Sequence, residues 1–264
     1  MESKEERRHR ERTYVVAGLF GAHTLLLIAV LWLEGRYAHL LSFSSLSSWL
    51  LIALNLVGLR VFFATSQARQ MRVLDRKGLP DPRFPEAAQF CDVCNVIKPL
   101  RAKHCNVCGI CSERFDHHCS LMGVCISRQN HRLFYLLMLL DVLILATSES
   151  MIVGSWWRGS FAAMILMVIV FIAFIPPFGL LVFQTWLIFS NQTTWEWMKH
   201  DDIYYLEDLD EEILPFDLGC IKNGREFLFK MHLPGYLWDV PSEIYQEGYE
   251  PPSNCCNNKY YSCF

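Results

Sequence analysis

Charge is missing from long stretches of this 264-residue chain, in which 19% of residues are charged and 52% hydrophobic. Tyr14–Leu33, Leu46–Leu59 and Phe161–Phe189 contain no Asp, Glu, Lys or Arg, and Leu133–Thr147 contains only Asp141. That absence argues against an ordinary soluble domain with buried helices, because a hydrocarbon core about 30 Å thick is crossed by roughly 20 apolar helical residues. Internal repeats and nucleic-acid motifs are also lacking. The C-terminus has no prenylation box, which needs a cysteine fourth from the end; Tyr261-Ser262-Cys263-Phe264 stands there.

What is there is an α-helical integral membrane protein with four expected spans. They cover 14–33, 44–64, 133–154 and 161–189. The second needs its Ser-rich flank and Arg60-Val-Phe-Phe-Ala64 to reach spanning length. The third continues past Asp141 and Glu149. The fourth is long enough to tilt and is expected to kink at Pro176-Pro177, which cannot donate backbone hydrogen bonds. The first run is too long for a signal-peptide core and lacks a small-residue cleavage site, so it is expected to be retained. Asn55, Arg60, Asp141 and Glu149 are costly against lipid and are expected at helix contacts or span ends.

Orientation follows from the loops. Thr65–Arg132 carries eleven Lys/Arg, whereas the two short loops on the other side offer only Arg36 and Arg158. Positive charge stays cytosolic, and Arg7, Arg8, Arg10 and Arg12 agree. Both termini (1–13 and 190–264) and the segment between the second and third spans are therefore expected in the cytosol. The net charge of −3 says little about partners. Asp201–Glu212, with seven acidic residues and no basic one, reads as a solvated loop.

The cytosolic segment 89–131 concentrates the chemistry. Seven cysteines and three histidines lie between Cys91 and Cys125. In a reducing cytosol such cysteines are metal ligands or reactive thiols before they are disulfides. The spacing runs Cys91-x2-Cys94-x9-His104, then Cys105-x2-Cys108-x2-Cys111, then His118 and Cys125. Cys-x2-Cys pairs converge two thiolates on one ion, and alternating His and Cys favour zinc over iron–sulfur ligation. Two tetrahedral sites use eight ligands, so two of the ten residues are left over, and spacing alone leaves the pairing open. If the leftover pair is His117 and Cys119, a thiol lies beside an imidazole that Asp116 could orient, the arrangement of an activated nucleophile. The competing reading makes Cys119 a spare or alternative ligand.

The segment Cys91–Phe134 resembles the cysteine-rich domain of the DHHC-type protein S-acyltransferases (palmitoyltransferases). The matching residues are Lys98-Pro99-x-Arg101, His104-Cys105, Asp116-His117-His118-Cys119, Cys125 and Asn130. Thr193-Thr194-Trp195-Glu196 is similar to the family's TTxE motif. Phe216-Asp217-Leu218-Gly219, followed by Asn223, is similar to its C-terminal element. The resemblance covers roughly Tyr14–Phe229. It implies that Cys119 takes the acyl group from acyl-CoA (palmitoyl-CoA) as a thioester and passes it to cysteines of membrane-associated proteins, with His117 as base and Asp116 as its orienter. It also implies two structural zinc ions, one on Cys91, Cys94, His104 and Cys111, the other on Cys105, Cys108, His118 and Cys125. Thr194 would brace Asp116, Asn223 would brace the C-terminal element, and Lys98 and Arg101 would meet the CoA phosphates. The expected setting is the endoplasmic reticulum or Golgi, with the plasma membrane an alternative and no nucleic-acid partner.

The chain departs from that pattern after Cys119. Ser120-Leu121 replaces the family's Pro-Trp, and Leu121 stands where an aromatic ring is expected to contact the acyl chain. Gly123 is expected to loosen the backbone further, and a glycine near Ser127 is missing. These changes motivate an alternative: a zinc-stabilised membrane adaptor of the same fold with little or no turnover. Cys255-Cys256 in the tail reads as spare thiols, and Cys220 as packed rather than reactive.

Overall fold

A computed structural model of the chain describes residues 21–22, 24–33, 43–67, 81–230, 238, 242–245, 257–258 and 261–262. Arg7, Arg8, Arg10 and Arg12, residues 14–20 of the first expected span, Arg36, and Cys255 and Cys256 lie outside them.

Helices form on the apolar runs: α1 (Thr24–Leu33), α2 (Phe43–Gln67), the single turn α3 (Glu86–Gln89), α4 (His131–Trp157) and α5 (Phe161–Phe189). Among the described residues, three helices are long and apolar enough to cross a membrane: α2 over Ser48–Thr65, α4 and α5. The helical assignment of α5 runs through Pro176 and Pro177. Most of α5 is not buried, with Ile165, Ile169, Phe171 and Ile172 exposed. So large an apolar surface is at home in lipid rather than water.

The chain divides into two compact units. The first comprises 1–67, 120–123 and 133–182. Its core joins Val30 and Leu33 of α1, Leu51 of α2, Ile144, Leu145 and Ile152 of α4, and Ala163 and Val170 of α5. Gly58 of α2 faces Ile144 of α4, and a Cβ there would lie 3.4 Å from Ile144 Cδ1. Polar side chains in these helices bond to their own backbone: Asn55 Nδ2 donates to Leu51 O at 2.8 Å and Ser148 Oγ to Ile144 O at 2.8 Å. Such bonds keep their polar atoms satisfied where water is absent.

The second unit comprises 68–119, 124–132 and 183–264. It holds α6 (Thr194–Met198), α7 (Cys220–Arg225) and three two-stranded antiparallel hairpins. These are β1 (Phe90–Cys91) with β2 (Val96–Ile97), β3 (Lys103–Cys105) with β4 (Ile110–Ser112), and β5 (His117–Cys119) with β6 (Val124–Ile126). A fourth pair, β7 (Asn257–Asn258) and β8 (Tyr261–Ser262), lies near the C-terminus.

The three hairpins are copies of one pattern, which corrects the reading that the chain has no internal repeat. Cys91 pairs with Val96, Cys105 with Ile110 and Cys119 with Val124, a period of 14 residues. Each register leaves a four-residue turn whose last residue is left-handed: Asn95 at φ 55°, Gly109 at φ 67° and Gly123 at φ 62°. Glycine takes that conformation without the Cβ clash. Gly123 therefore closes its turn, with its N–H 3.3 Å from Ser120 O, and is not the loosening element expected from the sequence.

The acidic segment is also more than a solvated loop. Its acidic side chains at 207, 208, 210, 211 and 212 are exposed, but Ile203, Tyr205, Leu206 and Leu209 are buried with Ile213, Phe216 and Ile244 in a small core.

Candidate active site and metal centres

The turn of the first hairpin meets the strand pair of the second, and the turn of the second meets the strand pair of the third. In the second hairpin, His104 and Cys111 are cross-strand partners; in the third, His118 and Cys125 are. Cross-strand partners share a face of the ladder. His104 Nδ1 lies 3.6, 3.3 and 3.7 Å from the sulfurs of Cys91, Cys94 and Cys111. His118 Nδ1 lies 3.7, 3.4 and 3.8 Å from those of Cys105, Cys108 and Cys125. The ligand atoms of each quartet all lie within 4.8 Å of one another.

A tetrahedral zinc ion with Zn–S of about 2.3 Å and Zn–N of about 2.0 Å spaces N and S ligands by roughly 3.5 Å. Both Cys3His quartets match that spacing and so fit zinc. Their sulfurs are crowded enough to force their titrations apart: hydrogen bonds from Cys108 and Cys125 draw Cys105 down, and contacts with Cys105 and Cys108 push Cys125 up. A bound cation resolves that conflict by holding all three as thiolates. The hairpins bring little apolar core of their own, so the metal would supply much of their folding free energy.

Alternation along β5 sorts the remaining residues. Side chains point to opposite faces at successive positions, so His118 turns to its quartet while His117 and Cys119 share the other face. His117 Nδ1 is 2.7 Å from Asp116 Oδ2, and His117 is also hydrogen-bonded to Cys119, whose thiol is buried. With Nδ1 engaged, the bond to sulfur falls to Nε2. Burial pushes the His117 imidazole down, but hydrogen bonds to Asp116 and Cys119 outweigh it and raise it to about 9. Burial pushes the Asp116 carboxyl up; hydrogen bonds from His117 and from the Thr194 N–H contribute to holding it below the usual carboxylate range.

The Thr193–Glu196 segment clamps this arrangement from both ends. Thr193 caps α6 in a reciprocal box with Glu196: Thr193 Oγ1 accepts from Glu196 N at 3.1 Å, and Glu196 Oε2 from Thr193 N at 2.9 Å. Thr194 donates from N to Asp116 Oδ1 and from Oγ1 to Asp116 Oδ2, both at 2.8 Å. Glu196 also accepts from Tyr205 at 2.9 Å and from Arg101 Nε and Nη2 at 2.7 and 2.6 Å.

That geometry corrects the expectation for Arg101. It is fully buried, two further donors go to Asn191 Oδ1 and O at 3.0 and 2.7 Å, and its plane lies 4.1 Å over the Phe216 ring. Four of the five guanidinium N–H groups are thus spent on buried partners within the protein, and the side chain ties the linker between the first two hairpins to α6. Removing one partner of so buried a pair costs about 3–5 kcal/mol. Lys98, in contrast, is half-exposed.

Asn223 is buried and makes protein contacts: Nδ2 donates to Phe189 O at 2.6 Å and Asp217 Oδ1 at 2.5 Å, and Oδ1 accepts from Leu218 N at 2.9 Å. It pins the Phe216–Gly219 loop to the end of α5. Asn130 pins the exit of the third hairpin, accepting from Ser127 N at 2.9 Å and donating to Cys125 O at 3.0 Å. After Cys119, Leu121 is 57% exposed and Met122 is buried.

Sequence reasoning missed the buried Arg128–Glu113 pair at 2.6 Å. It also missed three residues behind Asp116: Gln184, His131 and Arg114. Gln184 had a signal, being a carboxamide in an otherwise apolar run.

Comparison with known proteins converges on the same segment. Over 187 residues, 66% of this chain, it is 34% identical to a Dictyostelium discoideum protein named as a ZDHHC-type palmitoyltransferase, and it spans 43% of that protein's length. Residues 85–201, which hold all three hairpins and the Thr193–Glu196 clamp, match the DHHC palmitoyltransferase family. On the paired Cys3His quartets, the acid–imidazole–thiol row and these matches, the chain belongs to the DHHC palmitoyltransferase family.

Proposed function

We propose that the protein is a membrane-embedded protein S-acyltransferase that works through a thioester on Cys119. The observation that carries this reading is the row Asp116–His117–Cys119, with its 2.7 Å acid–imidazole bond, on the face of β5 turned away from the metal ligand His118. His117 takes the Cys119 proton, and the sulfur attacks the carbonyl of palmitoyl-CoA. The Cys119 S–C bond forms, the CoA S–C bond breaks, and the leaving CoA thiolate receives the proton from His117. In the second step a substrate cysteine gives its proton to His117 and takes the acyl group, returning Cys119 to its starting state.

Two zinc ions on Cys91, Cys94, His104 and Cys111 and on Cys105, Cys108, His118 and Cys125 would fix the hairpins. They are structural, since each quartet is closed by four protein ligands. Four spans, over 14–33, 44–64, 133–154 and 161–189, would put both termini and the 89–131 domain on the cytosolic face of an endoplasmic reticulum or Golgi membrane. An interfacial thiol there meets both the polar CoA and its insoluble chain. Lys98 is the remaining candidate for the CoA phosphates, a role suited to a fixed cation.

The test is Cys119→Ser in purified full-length protein. Hydroxylamine-sensitive labelling from palmitoyl-CoA is lost while two zinc ions per chain remain. Full labelling of the variant refutes the nucleophile assignment, and a wild type that never acylates a protein cysteine supports the adaptor instead.

A further inference from the structure

Asp116 is buried, and its Oδ2 accepts more hydrogen bonds than a pair with His117 requires. Besides His117 Nδ1 at 2.7 Å, it accepts from Thr194 Oγ1 at 2.8 Å and Gln184 Nε2 at 3.1 Å. Gln184 lies near the end of α5, where an unsatisfied carboxamide is costly. Here both ends of the amide are used: Oε1 pairs with His131 Nε2 at 2.9 Å, and Nε2 also donates to Thr194 Oγ1 at 3.0 Å. Behind His131 stands Arg114, with Nη1 2.9 Å from His131 Nδ1. Arg114, His131 and Gln184 are all buried.

The direction of every bond in this row follows from its first member. A guanidinium can only donate, so His131 Nδ1 accepts and the ring carries its proton on Nε2. That N–H donates to Gln184 Oε1, which leaves the amide Nε2 to face Asp116. A flipped amide would set its oxygen against the carboxylate and its N–H groups against the imidazole N–H. Arg114 therefore selects, through two side chains, the end of Gln184 that meets Asp116.

We propose that Gln184, aligned by Arg114 and His131, is a positioning residue for the Asp116–His117 pair. It holds Oδ2 in line with His117 Nδ1, which keeps His117 Nε2 turned toward Cys119. Its role in turnover rests on the acyl-transfer reading; its effect on Cys119 reactivity does not.

The test uses full-length protein in nanodiscs with two readouts. One is the single-turnover acylation of Cys119 by palmitoyl-CoA. The other is alkylation of Cys119 by iodoacetamide, followed by peptide mass spectrometry. Gln184→Met keeps the length and removes all three hydrogen bonds of the carboxamide. Loss of a hydrogen bond to a charged group is expected to slow both reactions about tenfold, with the half-saturating acyl-CoA concentration and the zinc content unchanged. Gln184→His, which offers one donor and one acceptor, recovers most of the rate. Wild-type rates in Gln184→Met overturn the assignment. So does a rate loss accompanied by zinc loss, or one that histidine does not rescue, since either marks a packing role. If wild-type Cys119 is alkylated in a Gln184-dependent way but takes no acyl group, the acyl-transfer reading fails and the positioning assignment stands.

Discussion

In the second hairpin, Cys105 and Cys108 flank a turn closed by Gly109, and both sulfurs approach His118. In the third, Cys119 stands where Cys105 stands and Gly123 where Gly109 stands, but Met122 occupies the place of Cys108. Two things differ. The third turn has one thiolate fewer, with a thioether in its place that carries no charge and binds metal weakly. And while the first turn is met by His104 and Cys111, and the second by His118 and Cys125, no His/Cys pair among the described residues meets the third in a metal-ligand cluster. On the proposed function, the comparison teaches that a nucleophilic thiol can arise by subtraction: Cys119 occupies the position of a ligand, no metal cluster among the described residues includes it, and His117 reaches it instead.

The largest break in the comparison removes the metals. A strong chelator should release zinc and unfold all three hairpins together, since apparent binding of structural zinc is worth about 10–16 kcal/mol. Circular dichroism and the loss of Cys119 labelling check it; labelling that survives complete zinc loss would separate the thiol from the framework. A more selective break restores the missing sulfur. Met122→Cys rebuilds the Cys-x2-Cys turn and should let the third hairpin capture Cd2+ or Co2+, slowing acylation about tenfold until the metal is removed. A variant that binds no extra metal denies the equivalence of the two turns. The smallest test concerns the shared backbone. Gly109→Ala and Gly123→Ala should each cost about 1–2 kcal/mol, the penalty of a Cβ in left-handed backbone. Unequal costs in thermal unfolding would mean that the turns are not built alike.

The long apolar runs were readable because a span must carry its hydrophobicity in consecutive residues, and α4 and α5 begin and end close to where composition changes. The metal quartets were half readable. Cys-x2-Cys marks a turn, but which His joins it depends on register, and only the family resemblance supplied the pairing. Arg101 was misread because a loop cation looks like a surface cation until its partner is known, and Glu196 lies 95 residues away. Gln184 was passed over for the same reason, with Asp116 68 residues before it. The repeat escaped notice because the first copy begins with Phe90 where the others have histidine, and the third lacks a cysteine; the common element is backbone shape rather than identity.

Thr194 follows Asp116 by 78 residues, and the chain is made in that order. A polypeptide still emerging from the ribosome carries its thiol, its imidazole and all eight metal ligands long before it carries the hydroxyl and amide that seat the acid. A helix made after all three hairpins thus completes the site in time as well as in space, and a chain cut short before residue 194 has the acid, imidazole and thiol of the row but not all of the part that aligns it.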